Sequence, residues 1–560
     1  MRRFLIYALT GFLFFFFQIT GYDLAKDGNI VWTVGYTLGT LALAAAGGAL
    51  FGALAMNVPR IISQLDGVRA AIFPAKKTQA GKSCSFTPRR VWLISFCLIV
   101  LCWLPAYLAY YPGICAYDVT IQTGQIESGA YNDHHPLAHT LLLAGSMKLG
   151  EGLFCDANTG IALLTLVQML FLAGTLAYGI AFLYKRKVAA GWLTALTLLG
   201  MFYPFHLYIS ISVIKDVFFS AFFFLMTLFL YELILERKKR VTATDLAFFV
   251  SAIGVQLFRN NGRYAMLVLL VVLFAAIVFG KNFRLFWGRL ALNCMLSLIV
   301  GSLLLSGLFR VTGAEQGDRR EMLSMPIQQF ARCMLYHGGV GVLEEDDGAM
   351  EEQDRNLIND FLLDEGYRAY RPEISDPVKS HTNTYVVRYR AGDFVKTYVR
   401  LLGSFPGEFI NAALAVNAGY LYVGDVSHAN INKNGVDKGL GYVQTRWVDR
   451  ELNPRGIYQD SKWEGLHAIM ERWADENRYL SYPVLRLFFA PGIFLWLYLT
   501  LTGRLLARKK YDLWVPLSLA FGYYATLFLG PTVQLRYLYP LMLVIPYAAL
   551  ICISDGKEKE

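Results

Sequence analysis

Apolar residues in this 560-residue chain run in long continuous blocks, without the spaced pattern of helices half-buried in a soluble core. Twelve such blocks predict helices, near residues 4–20, 30–56, 91–109, 158–184, 188–203, 214–235, 245–258, 264–280, 286–309, 482–503, 511–530 and 535–553. A helix needs roughly 17–25 mostly apolar residues to cross the hydrocarbon core of a bilayer, and most of the blocks meet that length. The fifth and seventh are the shortest. The pattern breaks from about 310 to 481, where short amphipathic helices are predicted at PIQQFARCMLYH, MEEQDRNLINDFLLDE, TNTYVVRYRAGDFVKTYVRLLG, PGEFINAALAVNAGY and WEGLHAIMERWADENRYL. Gly338, Gly339 and Gly366 supply stops for the first two. A polar, turn-rich stretch from 424 to 462 has little that would nucleate a core. The expected fold is therefore an all-α polytopic membrane protein of about twelve transmembrane helices. A mostly helical segment would lie on one membrane face as a cap, packed on the span ends and unable to fold alone.

Composition supports the bilayer and gives an orientation. Apolar residues make up 55% of the chain and charged ones 17%, against about 25% charged in an average soluble protein. The net charge is +10, but 310–481 carries 20 Lys and Arg against 26 Asp and Glu, so the rest of the chain holds a net +16. Those cations fall in alternate loops: Arg2 and Arg3; Arg60, Arg69, Lys76, Lys77, Lys82, Arg89 and Arg90; Lys185 to Lys187; Arg237 to Arg240; Lys281 and Arg284; and Arg504 to Lys510. Short loops rich in Lys and Arg stay cytoplasmic. Both termini are expected inside a cell membrane and 310–481 outside, with the basic balance directed at anionic lipid and not at nucleic acid. The first span has no small-residue cleavage site after it and is expected to be retained.

Four regions follow: 1–90, two N-terminal spans and a basic loop; 91–309, a membrane module whose first external loop is 110–157; 310–481, the cap; and 482–560, three further spans and a tail. Eight cysteines are dispersed, and Cys115, Cys155 and Cys333 fall outside. Cys115 and Cys155 share a loop, yet isolated thiols remain the preferred reading.

Polar groups near membrane depth concentrate at the outer span ends, where such groups are costly and retained for a task. In YYPGICAYDVT and NDHHPLAHT these are Asp118, His134, His135 and His139; in HLYISISVIKD, Lys215 and Asp216; in QLFRNNGRY, Arg259, Asn260 and Arg263. GDRREMLSMPIQQFARCMLYH adds Arg319, Gln328, Gln329 and Arg332, and GPTVQLRYLYP adds Arg536 and Tyr539. Each cluster alone has a plain structural account: helix capping for the histidines, a neutralised Lys215–Asp216 pair, a hairpin tip at Asn261 and Gly262, a solvated face at Arg332, a snorkelling Arg536. Together they place several arginines and a lysine on the face where the positive-inside rule disfavours them. Arginine forks suit phosphate oxygens, and a phosphate at interface depth suggests a lipid phosphate.

Through YPG…D, HHP..HT, KD, RNNG and PIQQ…R, the sequence resembles the GT-C superfamily of multi-span glycosyltransferases, which includes protein mannosyltransferases and aminoarabinose transferases. The likeness is strongest to a bacterial branch of membrane proteins and spans about 91–553. It implies a GT-C-like fold and a sugar carried on a polyprenyl phosphate or pyrophosphate, transferred on the external face to an envelope glycan, lipid or protein acceptor. Asp118 would be the catalytic acid–base residue, with His134 and His135 assisting. Lys215, Asp216, Arg259, Asn260, Arg263, Arg319, Gln328, Gln329, Arg332, Arg536 and Tyr539 would bind substrate. Many members have paired acids where this chain reads AYDVT, with the next acid at Glu127; a divalent cation is the one cofactor left open, and a metal-independent monophosphate route fits better. A lipid-linked glycan flippase or transporter, and an O-antigen ligase or polymerase, are the neighbouring readings. Coupled transporters put ionisable groups at mid-bilayer, whereas here they edge the membrane.

Overall fold

The computed structural model describes residues 1–64, 86–115, 117–280, 283–317, 319–424, 458–475 and 478–554, with the side chains of 58–64, 117, 319, 475, 478 and 479 left undescribed. The basic positions Arg60, Arg69, Lys76, Lys77, Lys82 and Lys281, the thiol of Cys84, and most of the turn-rich stretch lie outside those limits. The chain is helical, and among the described residues β-structure is confined to isolated bridges. The first twelve helices are α1 (Arg2–Asp27), α2 (Val34–Gln64), α3 (Pro88–Ala109), α4 (Tyr117–Ser128), α5 (Leu137–Phe154), α6 (Ala157–Lys185), α7 (Ala190–Phe202), α8 (Pro204–Ser210), α9 (Lys215–Glu236), α10 (Ala243–Phe258), α11 (Asn260–Phe279) and α12 (Arg284–Thr312). Then come α13 (Ser324–His337), α14 (Glu352–Phe361), α15 (Thr384–Tyr389), α16 (Ala391–Ser404), α17 (Pro406–Val416), α18 (Glu464–Asp475), α19 (Pro491–Ala507), α20 (Tyr511–Leu527) and α21 (Leu535–Ser554), with shorter turns between.

A helix stands at each of the twelve predicted spans, and eight among the described residues are long and apolar enough to cross a membrane: α1, α2, α3, α6, α9, α11, α12 and α21. A ninth is obtained if α7 and α8, bent by 53° at their junction, count as one broken span. Pro204 explains the bend, because its ring pushes Tyr203 out of helical conformation. α10, α19 and α20 are helices of 16 or 17 residues and fall short of that length. Burial shows the order of packing. In α9, 83% of the apolar stretch is buried, against 17% in α1 and 22% in α2, so α9 is the axis and the N-terminal hairpin is peripheral. α9 packs against α6, α10, α20 and α21, while α3, α11 and α12 leave Leu101, Val271 and Leu303 exposed on the outside of the bundle, as lipid contact requires. Where helices cross closely the residue is glycine: a Cβ on Gly160 of α6 would stand 2.0 Å from the Ser146 carbonyl oxygen of α5.

The helices between α12 and α19 have a core of their own, built on Ile327, Phe330, Met334, Ile358, Phe361, Phe394, Leu401 and Phe409. Several are shorter than the sequence predicted. α14 stops at Phe361 because Asp364 and Glu365 take left-handed backbone conformations and Leu363 hydrogen-bonds to the His381 carbonyl. The next predicted helix divides at Arg390 into α15 and α16.

This segment is tied to the membrane bundle by buried polar side chains. Arg332 is almost wholly enclosed; its guanidinium donates to Glu408 Oε2 at 2.6 Å, to Asn29 Oδ1 at 2.5 Å, to the Gly28 carbonyl at 3.3 Å and to the Tyr370 hydroxyl at 3.1 Å. Asn411 of α17 donates to the same Asn29 and to the Ile30 carbonyl, and accepts from the Trp32 indole. Gln329 is spent inside the segment, between the Phe409 carbonyl and the Tyr398 hydroxyl, and Gln328 donates to the Arg371 carbonyl. Arg332 therefore fastens the segment to the α1–α2 turn, while Gln328 and Gln329 are ties within the segment. Arg332→Ala strands Glu408 and three acceptors, and is expected to cost about 3–5 kcal/mol of stability. A lowered melting temperature in detergent, with ligand binding per folded molecule unchanged, is the expected result.

Candidate functional site

The turn after α3 positions the first site residue. α3 ends at Tyr110, and Gly113 takes a backbone conformation with φ +146°, where a Cβ would meet the Thr165 hydroxyl at 2.6 Å. Ile114 then pairs with the strand-like turn before α9: its amide donates to the Ile211 carbonyl and its carbonyl accepts from the Val213 amide, both at 2.9 Å. Gln168 of α6 holds the same turn by donating to the Ser210 and Ser212 carbonyls. These bonds put the first turn of α4, with Asp118, beside the first turn of α9, with Lys215 and Asp216.

Five charged side chains meet there. Asp118 Oδ2 accepts from Lys215 Nζ at 3.0 Å and from Arg536 Nη1 at 3.2 Å, and Asp118 is 3% exposed. Asp216, fully buried, is paired with Arg259 from the head of α11 through its Oδ1, and its Oδ2 lies 3.7 Å from Arg536 Nη1. The Tyr537 ring takes both arginines, with guanidinium carbons 4.4 Å (Arg259) and 4.8 Å (Arg536) from its centroid. Arg536 Nε donates to Gln534. The predicted Lys215–Asp216 pair does not form: adjacent helix residues point about 100° apart, so each charge finds a partner on another element.

His135 closes the group. Its Nδ1 lies 2.8 Å from Lys215 Nζ, and since an ammonium only donates, Nδ1 accepts and the ring proton sits on Nε2. Burial first, and the Lys215 ammonium second, push its pKa down to about 3, so His135 is neutral at pH 7. One turn further along both helices, His139 Nδ1 meets Gln122 Oε1 at 3.1 Å, and Gln122 donates to Thr140 at 2.8 Å. Asp118 and Gln122 on α4 thus face His135 and His139 as two rungs, four residues apart on each side. Burial by itself would raise the Asp118 pKa, but the Lys215 and Arg536 cations outweigh it and hold the carboxyl well below the usual carboxylate range.

Donors outnumber acceptors in this group. With histidines neutral, Lys215, Arg259 and Arg536 stand against Asp118 and Asp216, an excess of one positive charge. Lys215 has three N–H groups and two hydrogen-bond partners among the described residues, Asp118 and His135. His135 Nε2 is buried with no hydrogen-bond partner among the described residues. Arg263 follows Arg259 by one helical turn on α11, and its buried Nε also has no hydrogen-bond partner among the described residues. A cluster with this balance of charge favours an anion. It does not suit a metal: among the described residues no three His, Cys, Asp or Glu side chains converge, and the Asp118 carboxylate already faces two cations.

The remaining expected residues are distributed as follows. His134 is exposed, with its ring 4.7 Å from that of His135, and Asn260 is exposed at the head of α11. Tyr539 bonds to His206 Nδ1 at 2.8 Å and belongs to the packing between α8 and α21; Tyr537 is the tyrosine on the charges. The Arg319 side chain lies outside the described residues. Cys115 and Cys155 are both free thiols, one buried and one exposed. Gln122 and Gln168 are the site residues the sequence did not single out; Gln122 follows Asp118 by one turn, so spacing carried its signal.

The chain belongs to a family of unknown function, DUF6020, whose family model matches residues 125–560. The match takes in every site residue except Asp118 and Gln122, and leaves the α1–α2 hairpin outside. No curated protein and no solved structure matches the chain.

The histidine gives a pH test. Its folded pKa lies below the unfolded value of about 6.5, so the stability contributed by neutral His135 is complete above about pH 6.5 and drains as pH falls toward the folded value. Asp118 acts with the same sign, but only below about pH 3.9. Thermal unfolding from pH 8 to 4 is expected to show a decline below about 6.5 that His135→Gln makes shallower.

Proposed function

We propose that this protein is a membrane glycosyltransferase of GT-C-like architecture that moves a sugar from a polyprenyl-phosphate donor to an envelope acceptor. The observation that carries the reading is the surplus of buried positive charge and idle donors around Asp118, at the rim of a bundle whose outside is apolar. An apolar carrier chain is at home against α3, α11 and α12, and its phosphate is matched by Lys215, Arg263 and the His135 Nε2–H. In this reading the chain crosses the cell membrane about twelve times, the basic loops and both termini are cytoplasmic, and the site faces outward.

In the proposed reaction an acceptor hydroxyl oxygen forms a bond to the anomeric carbon while the carbon–oxygen bond to phosphate breaks. The bonding pair leaves on the phosphate oxygen, and the hydroxyl proton passes to Asp118. A carboxylate held low by two cations is a poor base at rest. An arriving phosphate competes for Lys215 and Arg536, loosens their hold on Asp118 and raises its basicity as the donor is seated. The same cations then meet the charge that develops on the leaving group. No metal step is needed.

Purified protein in vesicles, supplied with polyprenyl-phosphate-linked sugar and an envelope extract, tests this. Arg263→Gln is expected to lower turnover by about 10²–10³, the size of losing one preorganised donor, and to leave stability within about 0.5 kcal/mol. Asp118→Asn, inserted and folded as wild type, is expected to abolish product and to change lipid-linked sugar pools in cells; unchanged pools and envelope glycans sink the catalytic assignment. Movement of the lipid-linked sugar across the vesicle without product would instead identify a flippase.

A further inference from the structure

α16 is apolar on two sides. Phe394 and Leu401 enter the core beneath it, while Val395, Val399 and Leu402 form a second stripe at spacings of four and three, with the two valines 59% and 61% exposed. The preceding α15 adds Tyr385 and Tyr389, one turn apart, 68% and 70% exposed, with ring centroids 4.3 Å apart. A helix that faces water carries polar residues on that side. The charges beside this stripe are positive: Arg388 and Lys396 are exposed and have no ion-pair partner among the described residues, whereas Arg390 and Arg400 are bonded to Asp360, Asp393 and Asp354.

The level of the stripe relative to the bilayer follows from its attachment. α16 ends two residues before α17, and α17 is bonded through Asn411 to Asn29, Ile30 and Trp32 in the turn between α1 and α2. Both of those helices are long and apolar enough to cross the membrane, so their turn lies where the chain leaves it. Val31 and Val34 are exposed at the same turn, so apolar surface is present at that level.

We propose that the α15–α16 face lies on the lipid surface of the bilayer that the chain spans, with Val395, Val399 and Leu402 among the upper acyl carbons. Tyr385 and Tyr389 sit at headgroup level, and Arg388 and Lys396 meet anionic headgroups. The segment is then anchored to the membrane at two places, through the α1–α2 turn and through this face. The inference is independent of the reaction.

Spin labels on single cysteines at 395, 399 and 402, in the full chain with its native cysteines replaced by serine, read the depth in vesicles of phosphatidylglycerol and phosphatidylethanolamine. The ratio of collisions with oxygen to collisions with a nickel chelate is expected to exceed that of a label at Glu352 several-fold and to fall below that of a label at mid-span Leu101, at a depth of about 5–10 Å. A ratio equal to that at Glu352 overturns the proposal, and so does shielding from both reagents, which would mean a protein cover. If the cysteine-free chain does not fold, a photocrosslinking residue at 399 in the native background decides by a lipid adduct or its absence. Arg388→Glu with Lys396→Glu is expected to lower the ratio in these vesicles and not in phosphatidylcholine; an equal effect in both removes the anionic part.

Discussion

Asp118 and Asp216 are carboxylates almost without access to water, and the end of the bundle that holds them is arranged around how their charge is met. An unpaired buried carboxylate is costly enough that a chain neutralises it or supplies partners. Here the partners come from four separated stretches: Lys215 from α9, Arg259 from α11, Arg536 from α21, and His135 from the entry to α5. Each is contributed by the first turn of a helix or the residues just before it. The knot therefore fixes the relative height of α4, α9, α11 and α21, which apolar contacts between smooth helices in lipid specify only weakly. Removing one member leaves another stranded in low dielectric, so the geometry is held collectively.

The same physics holds the second body of the chain. Arg332, fully enclosed, joins Glu408 to the backbone of the α1–α2 turn, and Asn411 repeats the tie beside it. A hydrophobic seam alone would let the extra-membrane core slide on the bundle. Directional bonds from a planar guanidinium do not. The hairpin that receives these bonds lies outside the family match, and it serves as the footing for the segment.

The sequence displays the part of this that depends on continuous pattern. A helix stands at each of the twelve long apolar blocks, and eight helices among the described residues are long and apolar enough to cross a membrane. The concentration of Asp118, Lys215, Arg259 and Arg536 at span ends was legible for the same reason, since charge inside an apolar block stands out. Pairing was not legible. Lys215 and Asp216 are neighbours in sequence and diverge in space, whereas Asp118 and Arg536 are 418 positions apart and touch. Gln328, Gln329 and Arg332 resembled a substrate face because i, i+4 spacing shows that residues share a side without showing what that side meets. Tyr537 and Tyr539 were equivalent by composition; helix phase, which depends on where α21 begins, puts the first on the guanidiniums and the second on His206. The breaks at 362–366 and 390 arise from tertiary hydrogen bonds that no local propensity reports.

An anion site that is already filled with its own carboxylates has a consequence for the proposed reaction. At rest Asp118 occupies the cations that a phosphate would need, so in the proposed reaction the donor would bind by exchange, with phosphate oxygens replacing carboxylate oxygens on Lys215 and Arg536. The surplus donors make that exchange favourable, because the Arg263 Nε, the third Lys215 proton and the His135 Nε2–H gain partners that Asp118 does not give them. An unpaired buried donor costs on the order of 1–3 kcal/mol, so satisfying the Arg263 Nε and the His135 Nε2–H offsets the partial loss of two ion pairs. A neutral sugar brings no such compensation and leaves the knot closed. Selectivity for a phosphate-bearing ligand and activation of the carboxylate then arise from one event, the transfer of two cations from an internal anion to an external one.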